Sequence, residues 1–246
     1  MAQTLFAADP IGQVVALQGE VTATGEDGKE RKLEMKSQIF LNDKVITKAG
    51  AKLQIMFADE TVTSQGEKSE MTIDDYVYDP KNPKNNSTQV GLTKGVFRVV
   101  TGKITKLNPD KFKVKTRTAT IGIRGCEVGF SIDRLAENIY VIKIHGSESV
   151  VVESRAPAPG LFDNVIGEKW DDKTEKKIIN ILNSGKIISI TQAEGTTQRD
   201  LAPQEVIDLI KAVTPEGSAI GGGTTTPGTD PNAPAADPNA PAADPN

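Results

Sequence analysis

Residues 44–64 read KVITKAGAKLQIMFADETVTS, and the alternation inside this stretch decides the fold class. Leu53, Ile55 and Phe57 alternate with Lys52, Gln54 and Met56, the period of a strand with one buried face. β-Branched residues fill Lys44–Thr47 before it and Thr61–Ser64 after it, while Ala49-Gly50 and Ala58-Asp59-Glu60 supply turns. Outward in both directions the same texture recurs. Gln13–Leu17, Glu20–Thr24, Glu70–Ile73, Gly95–Val100, Phe112–Lys115, Thr118–Ile123, Glu127–Ile132, Asn138–Ile144 and Ser149–Val152 all read as short strands. Gly25-Glu26-Asp27-Gly28, Asn42-Asp43 and Asn108-Pro109-Asp110 read as turns between them. The expectation is a mainly β sandwich or roll of many short strands over residues 11–152. Within it, Asp79–Thr88 (DPKNPKNNST) has no large apolar residue and reads as an exposed loop.

After Val152 the pattern changes. Ala156-Pro157-Ala158-Pro159-Gly160 breaks the chain, and Asp171–Asn183 (DDKTEKKIINILN) reads as a helix with Ile178, Ile181 and Leu182 on one face. Ser184-Gly185 would end it, Lys186–Thr191 reads as one more strand, and Trp170 as a packing anchor. Pro203–Val213 (PQEVIDLIKAV) reads as a second short helix, with Pro203 at its first position and Val206, Leu209, Ile210 and Val213 facing inward. Two such helices cannot build a core of their own, so residues 153–216 are expected to decorate the β domain. Residues 217–246 read as a disordered tail: a Gly/Thr hinge, then a DPNAPAA repeat with Asp230, Asp237 and Asp244 in equivalent places. It reads either as a tether or spacer or as a tail without a role. Residues 1–10 (MAQTLFAADP) resemble the end of an export signal, with small residues after Phe6.

Composition removes several function classes. With 246 residues and a net charge of −4, the chain can bury a real core but carries no overall basic charge for nucleic acid, so no nucleic-acid partner is expected. No run of 18 or more apolar residues exists, so no transmembrane segment is read. One cysteine, Cys126, cannot close an intrachain disulfide, and with the single histidine, His145, it makes no Cys/His zinc site. No metal and no cofactor are expected.

The β segment resembles the FecR domain, the extracytoplasmic module of ferric citrate regulator-like proteins. The landmarks run in order: Gly12-Gln13-Val14 through Gly19-Glu20-Val21; Lys44–Thr47, Ala49-Gly50-Ala51 and Leu53–Thr61; Gly95-Val96-Phe97-Arg98-Val99; then Thr116 and Thr118–Val128. Ile121-Gly122-Ile123-Arg124-Gly125 is the most specific part, and Cys126 departs from the threonine usual there. Leu182–Lys186 resembles the trailing strand of the family. The resemblance implies a fold of the FecR type, a location outside the cytoplasm, and a part in relaying a signal. Full regulators of the family also carry an anti-sigma region and a membrane-spanning helix, neither of which is read here.

These landmarks supply the candidate site residues: Asp59, Glu60, Gly122, Arg124, Gly125 and Cys126. The glycines flanking Ile123-Arg124 suit a bulge or tight bend. Arg124 has two open readings, a clamp onto Asp59, Glu60 or Glu127, and a cation offered to an anionic ligand. Asp59-Glu60-Thr61 reads as a hairpin turn, with calcium binding as the other reading. Cys126 reads as a small buried hydrophobe, and otherwise as a redox-active thiol beside Arg124. His145, before Gly146, reads as a surface residue at a strand end.

No nucleophile elbow, phosphate loop, dinucleotide fingerprint or zincin motif is present. A carboxylate-dependent glycoside hydrolase would need Asp74-Asp75 or Asp59-Glu60, but neighbouring acids on a strand point to opposite faces. The chain is therefore read as no enzyme. Two readings remain. One is a periplasmic or extracellular binding, sensor or adaptor module that grips an envelope protein or polysaccharide. The other is a structural or adhesive envelope protein, self-associating through strand edges.

Overall fold

Strand formation follows the alternation read above wherever one face meets the core. The computed structural model describes residues 9–155, 176–191 and 194–218. In chain order the strands are β1 (Gly12–Gln18), β2 (Val21–Thr24), β3 (Glu30–Lys32), β4 (Gln38–Ile39), β5 (Lys44–Thr47), β6 (Lys52–Phe57), β7 (Val62–Gln65) and β8 (Glu70–Val77). They continue with β9 (Ser87–Val100), β10 (Phe112–Lys115), β11 (Ala119–Ile132), β12 (Ala136–Arg155), β13 (Lys176–Ile181), β14 (Lys186–Thr191) and β15 (Gly195–Asp200). Two α-helices accompany them, α1 (Lys103–Leu107) and α2 (Pro203–Val213).

All fifteen strands join one hydrogen-bonded network. Three long strands give it its shape. The first part of β9 pairs with β8 and, in parallel, with β10, whereas its last part pairs with β7 and β11. β11 pairs with β10 through Thr120–Gly122 and with β9 through Glu127–Ile132. β12 runs along all of β11, then carries β13 on one part and β14 on the other. The network thus divides into two leaves that share β9, β11 and β12. One leaf holds β2, β3, β5, β8, β10 and β13, and the other holds β1, β4, β6, β7, β14 and β15. A single buried cluster draws on both, from Ile73, Phe112, Val114 and Ile121 to Val14, Ile55, Phe97 and Phe130. Each such fully buried side chain contributes roughly 2 kcal/mol of transfer free energy.

Glycine makes the bend in β11. Gly125 has φ +74°, and the Glu148 carboxylate lies where a side chain on it would stand. The register of β11 on β12 shifts between Arg124 and Cys126. This bulge lets one strand serve both leaves, so Thr118–Ile123 and Glu127–Ile132 are parts of a single strand. Asn138–Ile144 and Ser149–Val152 are likewise both parts of β12, which places His145 within a strand.

The helix read over Asp171–Asn183 is corrected. Lys176–Ile181 is strand β13, paired antiparallel with Val150–Arg155. Ile178, Ile181 and Leu182 mimic a helical face by spacing, yet Ile181 is buried while Ile178 and Leu182 are 57% and 68% exposed. The β-branched isoleucines fit a ladder that β12 offers. Trp170, Asp171–Glu175, the 156–160 break, residues 1–8 and residues 219–246 lie outside the described residues. α2 forms as read, burying Leu209 and Val213 and half-burying Val206 and Ile210. The other helix, α1, lies between β9 and β10 rather than near the C-terminus.

Candidate functional site

Asp59 and Glu60 form the turn from β6 to β7, and the two carboxylates part company there. Asp59 is fully buried and Glu60 is exposed with φ +67°. The Asp59 carboxylate accepts from the Thr61 hydroxyl at 2.7 Å, the Thr61 N–H at 3.2 Å, the Tyr76 hydroxyl at 3.2 Å and the Ile104 N–H at 3.3 Å. Its own N–H donates to Tyr76 Oη at 2.9 Å. Burial and the adjacent Asp59 charge hold the Tyr76 phenol far above its ordinary range. Tyr76 stacks on Phe57 with ring centroids 5.5 Å apart. Glu60 instead pairs with Lys103 at the start of α1.

The segment Thr101–Ile104 ties this turn to the β11 bulge. The Lys103 N–H donates to the Asp59 carbonyl at 2.7 Å, and the Gly102 N–H to Thr61 Oγ1 at 2.9 Å. A side chain on Gly102 would collide with the Asp59–Thr61 backbone, so only glycine passes here. One residue earlier, the Thr101 hydroxyl accepts from the Cys126 N–H at 3.0 Å and donates to the Cys126 carbonyl at 3.2 Å. The structure therefore brings Asp59 and Cys126 to opposite ends of one short connector.

Cys126 is fully buried, its thiol 3.5 Å from the Arg124 carbonyl and 3.6 Å from that of Ser149. Burial, reinforced by the Glu148 charge, pushes the thiol up to about 11. A redox-active thiol needs the opposite shift. His145 is exposed, with Nδ1 3.0 Å from the Gly125 carbonyl.

Arg124 pairs with none of the three carboxylates expected. Its guanidinium pairs with Asp110, in the connection from α1 to β10, at 2.5 Å. Asp59 is enclosed by hydrogen-bond donors, Glu60 is paired with Lys103, and Glu127 is held by Arg98 at 2.8 Å. Gly122 lies on the solvent side of β11, where an added Cβ would touch only Val151 at 3.9 Å.

The argument that neighbouring acids face opposite sides fails at Asp74-Asp75. A register shift between Ile73 and Asp75 leaves Asp74 exposed and Asp75 half-buried between the buried Ile73 and Tyr76. Asp74 there accepts from the Thr72 hydroxyl at 2.7 Å. The exposed loop read over Asp79–Thr88 is shorter than expected, since Ser87 and Thr88 belong to β9 and Asn86 and Thr88 are buried; within it Asp79 accepts from Asn82 Nδ2 and from the Lys81 N–H, which hold its carboxyl below the ordinary range. Among the described residues no group of three or more His, Cys, Asp or Glu side chains could hold a metal ion. Thr101, Tyr76, Asp110 and the Arg98–Glu127 pair were not singled out from sequence. Only Thr101, next to Gly102 at a strand end, carries a local signal.

Residues 43–147 match the family model described as FecR protein. The chain carries a FecR domain. The whole connector network from Asp59 to Cys126 lies inside the matched residues, and the match supports a regulatory or sensing module. Two crystal structures of a proposed anti-sigma factor from Parabacteroides distasonis are similar at 15% identity and a TM-score of 0.45, covering 67% of this chain. The chain spans 62% of their length. A structure titled cell surface anchoring domain is similar over 26% of this chain and 83% of its own, at 32% identity and a TM-score of 0.25. A search of the curated proteins finds no match. Among the described residues no helix is long and apolar enough to cross a membrane.

Proposed function

We propose that this FecR-domain protein is an exported, non-catalytic binding module of the bacterial envelope, serving as a sensor or adaptor. One observation carries the reading: the motif residues of the FecR domain are consumed by contacts within the fold. Asp59 is enclosed by donors, Cys126 is buried with a raised thiol, and Arg124 is paired with Asp110. A reacting group needs an open position and a poised proton, and these residues have neither. They hold the β6–β7 turn, α1 and the β11 bulge in register, leaving the outer face that α2 does not cover to meet a partner.

Fractionation of cells producing the tagged chain tests the compartment. Recovery from the envelope or the medium is expected, and recovery from the cytosol contradicts the proposal. Catalysis is tested with envelope glycans as substrates. Hydrolysis that D74N or D75N abolishes, without a change in Tm, would replace the binding module by a glycoside hydrolase. Sizing the chain at several concentrations tests self-association through strand edges. Edges β3 (ERK) and β15 (GTTQRD) are polar and resist strand addition, whereas β13 presents the exposed Ile178.

A further inference from the structure

Residues 81–124 contain eleven Lys and Arg side chains and a single acid, Asp110, within a chain of net charge −4. The fold turns part of this run into a stripe. Lys113 and Lys115 are exposed and alternate with the buried Phe112 and Val114, so both stand on the outer face of β10, about 6.6 Å apart along the strand, and the exposed Lys111 ends the 3-10 turn that leads into it. None of the three makes an ion pair among the described residues. Arg124, on the same face of neighbouring β11, extends the stripe and holds Asp110. Gly122 lies directly across from Lys113 and leaves low ground beside it, whereas the Thr72 hydroxyl and the Asp74 carboxylate stand over Gly91, across from Lys115.

Three features say what fits. β10 is hydrogen-bonded on both sides, to β9 and β11, so it has no free backbone for a peptide strand to join. Acidic side chains border the stripe on both sides: the Asp74 carboxylate stands over Gly91, across from Lys115, with Asp75 beyond Gln89, and Glu153 lies beyond Thr120 on the other side. A planar anionic bilayer would press its headgroups against both borders, whereas a single narrow chain lying along β10 avoids them. The face also offers no aromatic ring among its described residues, so nucleobases find no stacking platform.

We propose that the outer face of β10, with Lys111 just before it, binds a linear anionic polysaccharide, a glycan chain bearing carboxylates along its length, through Lys111, Lys113 and Lys115. The inference rests on the binding-module reading and names its partner class. At the Lys115 end the stripe reaches a polar recess of about 320 Å³ lined by Arg117, Thr118, Thr120 and Glu153, room for a sugar unit of the bound chain.

The test is binding of the full chain to polygalacturonate, a linear uronate polymer, over a range of salt concentrations. The wild type is expected to bind, more weakly as salt rises, and not to bind neutral dextran. K111Q/K113Q/K115Q is expected to lose about tenfold or more in affinity and to show a flatter salt dependence. K143Q/K186Q/K211Q, which removes lysines from β12, β14 and α2, is expected to stay within about twofold. Unchanged circular dichroism shows that both variants are folded. Absence of wild-type binding at low salt overturns the proposal, as does an equal loss in the second triple variant. Tighter binding to polyglutamate, anionic vesicles or single-stranded oligonucleotide overturns it too, by assigning the face to a protein, a membrane or a nucleic acid. Any of these results leaves the compartment found by fractionation untouched, so failure here is distinguishable from failure of the broader reading.

Discussion

The two leaves of the β body present outer faces built from similar strands and used in opposite ways. On one, Gly129 of β11 lies beneath Leu209 of α2, with a would-be Cβ only 2.5 Å from Leu209 Cδ1, and a would-be Cβ on Gly66 lies 2.9 Å from the Ala212 carbonyl. α2 is fastened over this face at both ends. Arg199 forks onto Glu205 at 2.9 and 2.6 Å, Glu205 accepts the Ala202 N–H, and Lys52 Nζ donates to the Lys211 and Thr214 carbonyls at the other end. A cavity of about 290 Å³ persists under the helix, between Val96, Ser131, Tyr140 and Leu209. On the other leaf, Gly122 of the same strand faces open space and the lysines of β10 stand free. A glycine on an outer strand face is thus either a seat for something or a gap beside something. The remainder of the chain decides which.

Paired glycine substitutions sharpen this contrast most. G129V drives Leu209 from its seat and should cost about 3 kcal/mol in a denaturant melt, whereas G122V should stay within about 0.5 kcal/mol. Equal costs would break the comparison. L209A empties the same seat without a clash and should cost about 2 kcal/mol. The α2 latch is also sensitive to acid. Its hydrogen bonds to Arg199 pull the Glu205 carboxyl from 4.5 down to about 2. A folded value below the unfolded one means that the contribution is complete above about pH 4.5 and is lost as the pH falls towards 2. E205Q should flatten that part of the stability curve, by less than about 1 kcal/mol because the pair is largely solvated. K111Q/K113Q/K115Q should change stability least, by less than about 0.5 kcal/mol, since no ion pair among the described residues is lost.

Strands that bury one face were legible in the sequence because alternation is local. β5, β6, β10 and β14 have the bounds read for them, and α2 starts at its proline. The edge strands β3, β4 and β15 are not legible in the sequence since their residues are polar or too few to show alternation, although Ile39 of β4 is fully buried in the core. β13 was read as a helix because three apolar residues at helical spacing also fit a strand with one side open. Gln54 alternates as a solvent-facing residue, yet it is buried, donating to Ser64 and accepting from Ser218, a residue 164 positions away. Nothing near Gln54 announces that cover. The site was legible in composition but not in partnership. The glycine bulge and the buried cysteine could be read, whereas the Arg124–Asp110 pair depends on how α1 leads into β10. The lysine stripe was hidden by the net charge of the whole chain, which averages a strongly basic region against acidic surroundings.

Amide chemical-shift mapping of the full chain with polygalacturonate tests the division of the two faces most directly. The account predicts shifts confined to β8 through β12 of the open leaf, centred on Lys111–Lys115 and Thr120–Arg124, with α2 and the Asp59–Cys126 connector unmoved. Shifts centred on α2 and Gly129, or on Asp59 and Cys126, would contradict it.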